Sequence, residues 1–489
     1  MALKEFIVAI ELGSSKVTGI AGKKNLDGSI TVLAVTTEKS SAFIRKGVVY
    51  NIDKSAQCIV GIVKKLEATL KTHISQVFVG VGGQSIRSHK NTIVKEFNVP
   101  TKVTNDMVNA LMDSNRNMDY PEQEILDAAV QEYKVDNHYQ PDPVGIECQR
   151  LEGNFLNILE RKNFYSSLNK CFRTAGIEVA EMYLAPFALA DSVLTEGEKR
   201  AGCALVDIGA DTTTVSVYFR NILRHLAVIP IGSANITKDI ASELKMEEED
   251  AEKMKLKYGC AYTEPHEISE TTKYSIDKDR SVAASVFAEI VECRMEEIIR
   301  NAGAQIQASD YTDKLIAGVV LTGGGSNMKD TEKAFTKYVG VEKIRTAKFV
   351  QHSIDSNSPL ITNHNGTMNT VLALLAKGEI NCAGSELDTQ GNLFPQEDEG
   401  QQEAPTAQQP REPKTPGKGV VMTEAEKKAA EEEKRKKEEE EERIRKEQEE
   451  KEQEKQKTKG PSFFKRMGNK FTEFIGTIVK EEDEDNGSR

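Results

Sequence analysis

The sequence predicts an α/β fold made of two similar halves, followed by a polar tail that lies outside the core. Three observations carry this. Residues 1–385 alternate short apolar runs with longer periodic stretches, the pattern of strands exchanging with helices. A strand–acid–x–Gly–strand pattern occurs twice, as FIVAIELGSSKVTGIAG at 6–22 and CALVDIGADTTTVSVYF at 203–219. From about 386 onward the chain becomes polar and repetitive.

The apolar runs at 6–10, 204–206 and 316–321 read as buried strands. Stretches 55–70, 285–302 and 368–377 have helical periodicity. Residues 395–417 hold five prolines among Gln, Glu and Gly, a composition that cannot bury a core. Residues 424–457 are almost entirely Glu, Lys, Arg and Gln. With no apolar face they form a spacer, either a solvated helix held by i,i+4 charge pairs or a coil. As a helix the spacer would reach roughly 50 Å. After Gly460-Pro461 the apolar residues Phe463, Phe464, Met467, Phe471, Phe474, Ile475 and Ile478 return at 3/4 spacing. They predict one helical stripe over 461–480, with Lys465, Arg466, Lys470 and Lys480 around it and an acidic tail at 481–489. A Phe-rich stripe with basic flanks suits an anionic membrane surface, each basic residue adding about 1 kcal/mol. Folding back onto the protein, or docking on a partner helix, is the alternative.

Bulk properties exclude several classes. A net charge of -12 argues against nucleic-acid binding. The seven cysteines are scattered, with no CxxC or Cys/His metal spacing, and read as reduced thiols in a cytosolic protein. No signal peptide is expected, and no run approaches the length of a spanning helix, so membrane contact should be peripheral.

The duplicated hairpin carries the chemistry. Gly13 and Gly209 let the backbone bend and present N–H groups to phosphate oxygens. Ser14, Ser15, Thr212 and Thr213 add hydroxyl donors, and Lys16 adds positive charge. The acids Glu11 and Asp207 cannot face bare phosphate and so imply a cation, which oxygen ligands and water identify as Mg²⁺. A third element, AGVVLTGGGSNM at 317–328, runs an apolar strand into Gly323, Gly324 and Gly325, a turn against which a base or ribose can lie. Neither a P-loop nor a Rossmann fingerprint is present.

These elements resemble the phosphate-1, phosphate-2 and adenosine motifs of the actin, Hsp70 and sugar-kinase superfamily. Within it the similarity to the FtsA cell-division family covers nearly all of 1–385, through AIELGSSKV, LAPFALADSVLTEGEKRAG at 184–202, HLAVIPIGSANITKDIA at 225–241, AEKMKLKYGCA at 251–261 and TGGGSNMKD at 322–330. The resemblance implies a two-lobed actin-like (RNase H-like) ATPase fold with an inserted small α+β subdomain. It divides the chain into a first lobe (1–83 and 166–200), the insert (84–165), a second lobe (201–241 and 312–385), its small lobe (242–311), a linker (386–460), and the terminal helix. It also implies bound ATP and Mg²⁺, with Glu11 and Asp207 on the metal. Gly13, Ser14, Ser15, Lys16, Gly209, Thr212 and Thr213 fall on phosphates, Glu252 and Lys255 on ribose and base, and Gly323, Gly324, Gly325 and Asn327 under the adenosine. As a plain reading, Glu252 and Lys255 are also a surface i,i+3 pair. The family's second hairpin usually continues in glycine where this chain has Ala210-Asp211, which leaves hydrolysis in doubt. No catalytic base is assigned.

The resemblance further implies a protein that polymerises on the cytoplasmic face of the inner membrane at the division site. It would anchor FtsZ filaments there and recruit later division proteins through its insert. The small lobe would receive the C-terminal tail of FtsZ, with Arg294 of Glu292-Cys293-Arg294 as candidate contact and Lys278 and Arg280 nearby; a solvated helix charge is the alternative for Arg294. Two rivals share the fold: a PilM-like pilus assembly protein, against which the terminal helix speaks, and a sugar kinase, for which no sugar-binding signature is found.

Overall fold

A computed structural model describes residues 5–264 and 271–386. The linker, the terminal helix and the acidic tail lie outside the described residues, so the expectations for 461–480 are not addressed by it.

Each expected hairpin forms in the interior of a sheet, flanked by strands on both sides. In the first lobe the strand Ile7–Leu12 pairs antiparallel with Lys16–Lys24, and Glu11 faces Thr18 across the ladder. In the second lobe Cys203–Ile208 pairs with Thr213–Phe219, and Asp207 faces Thr214. The strands IVAIEL and CALVDI are buried on both faces up to their acids, which is why they read as continuous apolar runs. Each also pairs in parallel with a strand that is followed directly by glycine, Gly82 in one lobe and Gly323 in the other. Gln76–Val81 lies beside Ile7–Leu12 with Gly80 opposite Glu11. Gly318–Thr322 lies beside Cys203–Ile208 with Thr322 opposite Asp207. Parallel pairing brings the carboxyl ends of four strands to one edge, the usual place for a ligand in α/β sheets.

Helices cover the sheets. Ile52–Leu70 buries Ile59, Ile62 and Leu66 on one face of the first sheet, and Asn369–Lys377 buries Leu372, Leu374 and Leu375 within the same core. Asn51 accepts the Lys54 N–H and caps the first of these. In the second lobe Ala284–Ala308 packs Phe287, Val291, Met295 and Ile298 against Val206, Val217 and Ile240. All three helical stretches predicted from periodicity are present, each within a few residues of its expected bounds.

The insert has its own small core around Leu111, Leu151 and Phe155. Its strands Arg87–Lys102, Gln123–Val135 and Glu147–Arg161 form one antiparallel layer. That layer does not stand apart. It joins the second lobe's sheet through Arg87 and Ala227, giving a nine-stranded sheet. The buried Arg224 donates to Gln131 Oε1 at 3.1 Å, and Lys90 pairs with Asp310 at 2.6 Å. The insert is therefore threaded through the first lobe's chain but hydrogen-bonded to the second.

Candidate functional site

Between the lobes lies a cleft of about 1220 Å³. Its lining includes Glu11, Gly13, Ser14, Ser15 and Lys16 from the first hairpin, and Asp207, Gly209 and Thr212 from the second. Glu252, Lys255, Gly323, Gly324, Gly325 and Asn327 complete the set gathered there from the sequence.

Thr213 is the exception and is corrected. It is wholly buried, and its hydroxyl donates to the Ile231 carbonyl at 2.9 Å. The reason is strand alternation: Thr213 begins the second hairpin's return strand, so Thr212 and Thr214 face the cleft and Thr213 faces the core. Ser14 is also partly committed, since its hydroxyl accepts the Gly47 N–H at 2.8 Å.

The floor of the cleft is acidic and closed. Burial pushes the Glu11 carboxyl up to about 7; nearby Lys16 opposes the rise and Asp207 adds to it. Burial alone takes Asp207 up to about 6. Glu11 Oε2 is sealed from solvent without a hydrogen-bond partner. A buried carboxylate oxygen left unpaired is costly, and a cation relieves it. No group of three or more His, Cys, Asp or Glu gathers into a metal site among the described residues. Two carboxylates alone suit Mg²⁺, which keeps several waters and takes phosphate oxygens as ligands. The donor set thus fits the cation the sequence implied. Among the described residues the one hydrogen-bond acceptor of Lys16 Nζ is the weak Met368 Sδ, at 3.9 Å, so its charge remains available to an anion.

Asp211, the residue that broke the glycine run, turns away from the cleft lining. Its carboxylate accepts the Lys46 N–H at 3.3 Å, a contact from the second lobe to the first. The loop 46–47 is thereby held by both hairpins, through Ser14 and Asp211.

Lys255 is a buried residue at 7% exposure, whereas Glu252 keeps 42% of its side chain exposed. They pair at 2.6 Å, Lys255 also donates to the Ser233 carbonyl at 3.2 Å, and Thr237 donates to Glu252. A lysine this buried is more than half of a surface pair; it ties Glu248–Tyr258 to the start of Ser233–Leu244 at the cleft wall.

Sequence reasoning missed several lining residues. Gly80 and Gly82 mirror the Gly323 turn in the first lobe, and the glycine-rich run Gly80-Val81-Gly82-Gly83 is their signal in the sequence. Ser233 and Ala234, and the turn Asn365-Gly366-Thr367, also line the cleft. Asn-Gly was the available signal for the second of these. Tyr258 and Tyr274 stack at 4.0 Å in the cleft wall, a contact no local pattern foretells.

Arg294 is not a free charge. Its guanidinium grips Asp239 through two bonds of 2.6 and 3.0 Å and also holds Glu297. Arg280 likewise pairs with Asp277 and donates to the Leu244 and Lys245 carbonyls at the end of the helix Ser233–Leu244. Truncation Arg294→Ala should therefore destabilise the folded chain by about 1–3 kcal/mol, since a partly buried bidentate ion pair is lost. Urea denaturation of wild type and variant measures this.

Comparison with known proteins identifies the family. The family model of the cell division protein FtsA matches residues 204–363, and that of the SHS2 domain inserted in FTSA matches 83–159. FtsA of Pseudomonas aeruginosa is 33% identical over 333 residues, 66% of this chain and 79% of that protein. The chain belongs to the FtsA family. FtsA of Porphyromonas gingivalis is 30% identical over 358 residues, 72% of this chain and 74% of the relative. FtsA of Bacillus subtilis is 30% identical over 330 residues, 66% and 74% respectively. Among solved structures, the PilM-PilN type IV pilus biogenesis complex superposes with a TM-score of 0.53 at 15% identity, over 76% of this chain and 97% of that one. The likeness is one of fold. This FtsA-family chain thus has the actin-like architecture with the family's inserted domain. None of its described helices is long and apolar enough to cross a membrane.

Proposed function

We propose that this FtsA-family protein binds ATP with Mg²⁺ between its lobes, polymerises on the cytoplasmic membrane surface at the division site, tethers FtsZ filaments and recruits later division proteins. The observation that carries the nucleotide reading is the meeting of two acid–glycine hairpins, one per lobe, over the carboxyls of Glu11 and Asp207, with Glu11 Oε2 buried and unpartnered. Glu11 and Asp207 would hold the cation. Gly13, Ser15, Lys16, Gly209 and Thr212 face the phosphates, with Ser14 contributing once its bond to Gly47 is exchanged. Glu252 and Lys255 border the ribose and base, and Gly323, Gly324, Gly325 and Asn327 border the adenosine. The cation's contribution is to neutralise phosphate charge at this junction. Because the hairpins belong to different lobes, a nucleotide that contacts both favours one lobe angle over others, and polymer contacts follow that angle. No catalytic base is assigned, and any hydrolysis is slow.

Membrane tethering rests on the stripe at 461–480. A single such helix binds weakly, and a polymer makes many act together. Sedimentation with vesicles containing anionic lipid is expected to pull down the full chain and to lose most of it when Phe471 and Phe474 are both changed to Glu. Equal pelleting of the two forms would refute the tether.

FtsZ recruitment is tested by titrating the full chain with a labelled C-terminal FtsZ peptide and following anisotropy. Because Arg294 is already held by Asp239 and Glu297, docking at this residue requires an exchange of partners. Arg294→Gln should then weaken peptide binding, while Arg294→Lys retains part of it. A flat titration of the wild type with Mg-ATP present would refute docking and leave the nucleotide site standing. The pilus-type reading shares only the fold, and the 33% identity to an FtsA favours the division reading.

A further inference from the structure

Beside the neck of the insert lies a second, smaller pocket of about 200 Å³. Leu12, Gly47, Gly80 and Gly82 line both this pocket and the main cleft, so little more than a backbone separates the two. Gly47 makes that thin wall possible: its φ is +74, and a Cβ there would lie 2.9 Å from the Gly83 Cα. The walls are mostly apolar, with Val48, Val49, Val81, Phe164 and Leu168.

One charged group inside is incompletely paired. Glu160, near the end of the strand Glu147–Arg161, is 0% exposed. Its Oε1 accepts from the Ser85 hydroxyl and from the Arg161 N–H at 2.9 Å, while Oε2 is sealed and has no partner. Burial and the facing acid Glu124 push the Glu160 carboxyl up, and the Ser85 and Arg161 donors with the Arg161 charge oppose that rise without giving Oε2 a partner. A buried carboxylate oxygen in an apolar pocket calls for a cationic donor.

A second pole, of opposite sign, lies at the same pocket. The twelve-residue helix Phe164–Ala175 begins here, and Asn163, at φ 77, supplies no side-chain cap to its free N–H groups. Arg161 also lines the pocket, and its charge acts on Glu160 from within the same wall. An acceptor, an uncapped helix start and a guanidinium are thus arranged around an apolar interior of side-chain size.

We propose that this pocket binds a small zwitterion, a free apolar amino acid whose ammonium is held by Glu160 and whose carboxylate meets the helix start and Arg161. The site is distinct from the nucleotide cleft and does not depend on the nucleotide reading.

The test uses the full chain with L-valine as probe, followed by ligand-observed NMR. Isobutylamine, which lacks the carboxylate, and isobutyrate, which lacks the ammonium, serve as controls. Saturable valine binding is expected, with each control weaker by about tenfold or more, the loss that follows removal of a charge-assisted bond. Glu160→Gln should weaken valine binding by a similar factor. Ser167→Phe should abolish it by filling the pocket without touching Glu160, and it decides the matter if Glu160→Gln does not fold. Wild-type circular dichroism and thermal unfolding of each variant would show that its fold is intact, whatever the outcome for nucleotide. Absence of saturable valine binding up to about 10 mM, a scale at which such contacts register, would overturn the proposal. So would unchanged affinity in either folded variant, or isobutylamine binding as tightly as valine.

Discussion

Gly323→Val should abolish nucleotide binding and destabilise the chain by several kcal/mol. Gly323 sits at φ 84, ψ 167, a region open in practice only to glycine, where any other residue costs about 1–3 kcal/mol. A Cβ would lie 2.2 Å from Asp207 Oδ1 and 2.6 Å from the Ile208 carbonyl oxygen. The Asp207 carboxylate could swing aside, at the expense of the place proposed for it on the cation. The Ile208 carbonyl cannot, because Cys203–Ile208 is held between two neighbouring strands. Strain and overlap therefore add, and both fall on the floor of the cleft. Gly340→Ala is the control. Its φ of +77 carries similar strain, but a Cβ there meets nothing within 4 Å. About 1 kcal/mol of stability should be lost with no change in nucleotide affinity. Chemical denaturation and titration with a fluorescent ATP analogue measure both quantities. Wild-type affinity in Gly323→Val would remove the turn from the site.

The second large effect is a pair of pH dependences with opposite signs. Burial raises Glu11 to about 7 and Asp207 to about 6 in the folded chain. The unfolded chain has them near 4.5 and 3.8. Between these limits the folded state binds more protons, so without metal its stability falls as pH rises. The contribution is fully present below the unfolded values and is lost as pH rises through 6 and then 7. Metal binding needs the deprotonated carboxylates and reverses the trend. Affinity for Mg-ATP should thus weaken as pH drops below 7, by about tenfold per unit where one proton competes and up to about a hundredfold where two do. Thermal unfolding from pH 5 to 8, with and without Mg-ATP, reads both slopes. Glu11→Gln removes the larger of the two titrations, and the difference between wild type and variant isolates it. Identical pH profiles for the two proteins would show that Glu11 does not couple to folding or to the cation. Asp207→Asn should separately lower Mg²⁺-dependent nucleotide affinity by about a hundredfold, since it removes one of the two carboxylates proposed to hold the cation.

Local pattern made the hairpins legible. An apolar strand that ends in an acid and a glycine has a meaning set by a few consecutive residues, and its repetition at 6–22 and 203–219 announced a duplicated fold. The same locality explains the failure at Thr213. In the run Thr212-Thr213-Thr214 three identical residues carry no sign of which faces the cleft, and only the ladder register, with Thr213 opposite Ile229, fixes the alternation. Arg294 shows the same limit at longer range. A lone arginine on a helix reads as available charge until Asp239, 55 residues away, is found against it.

The sequence by itself determined the two acids, the glycine turns, the helical stretches and the polar character of the tail, because each depends on composition or on spacing within one element. Tertiary structure alone decided the rest. It raised the pKa values of Glu11 and Asp207, weakening them as acids, by setting them at the desolvated floor of a cleft built from distant strands. It turned Asp211 out of the cleft to hold the opposite lobe at Lys46. It also joined the insert to the second lobe through Arg87 and Ala227, although the chain threads it through the first. Burial, charge pairing and sheet extension are properties of residues far apart in sequence that meet only on folding.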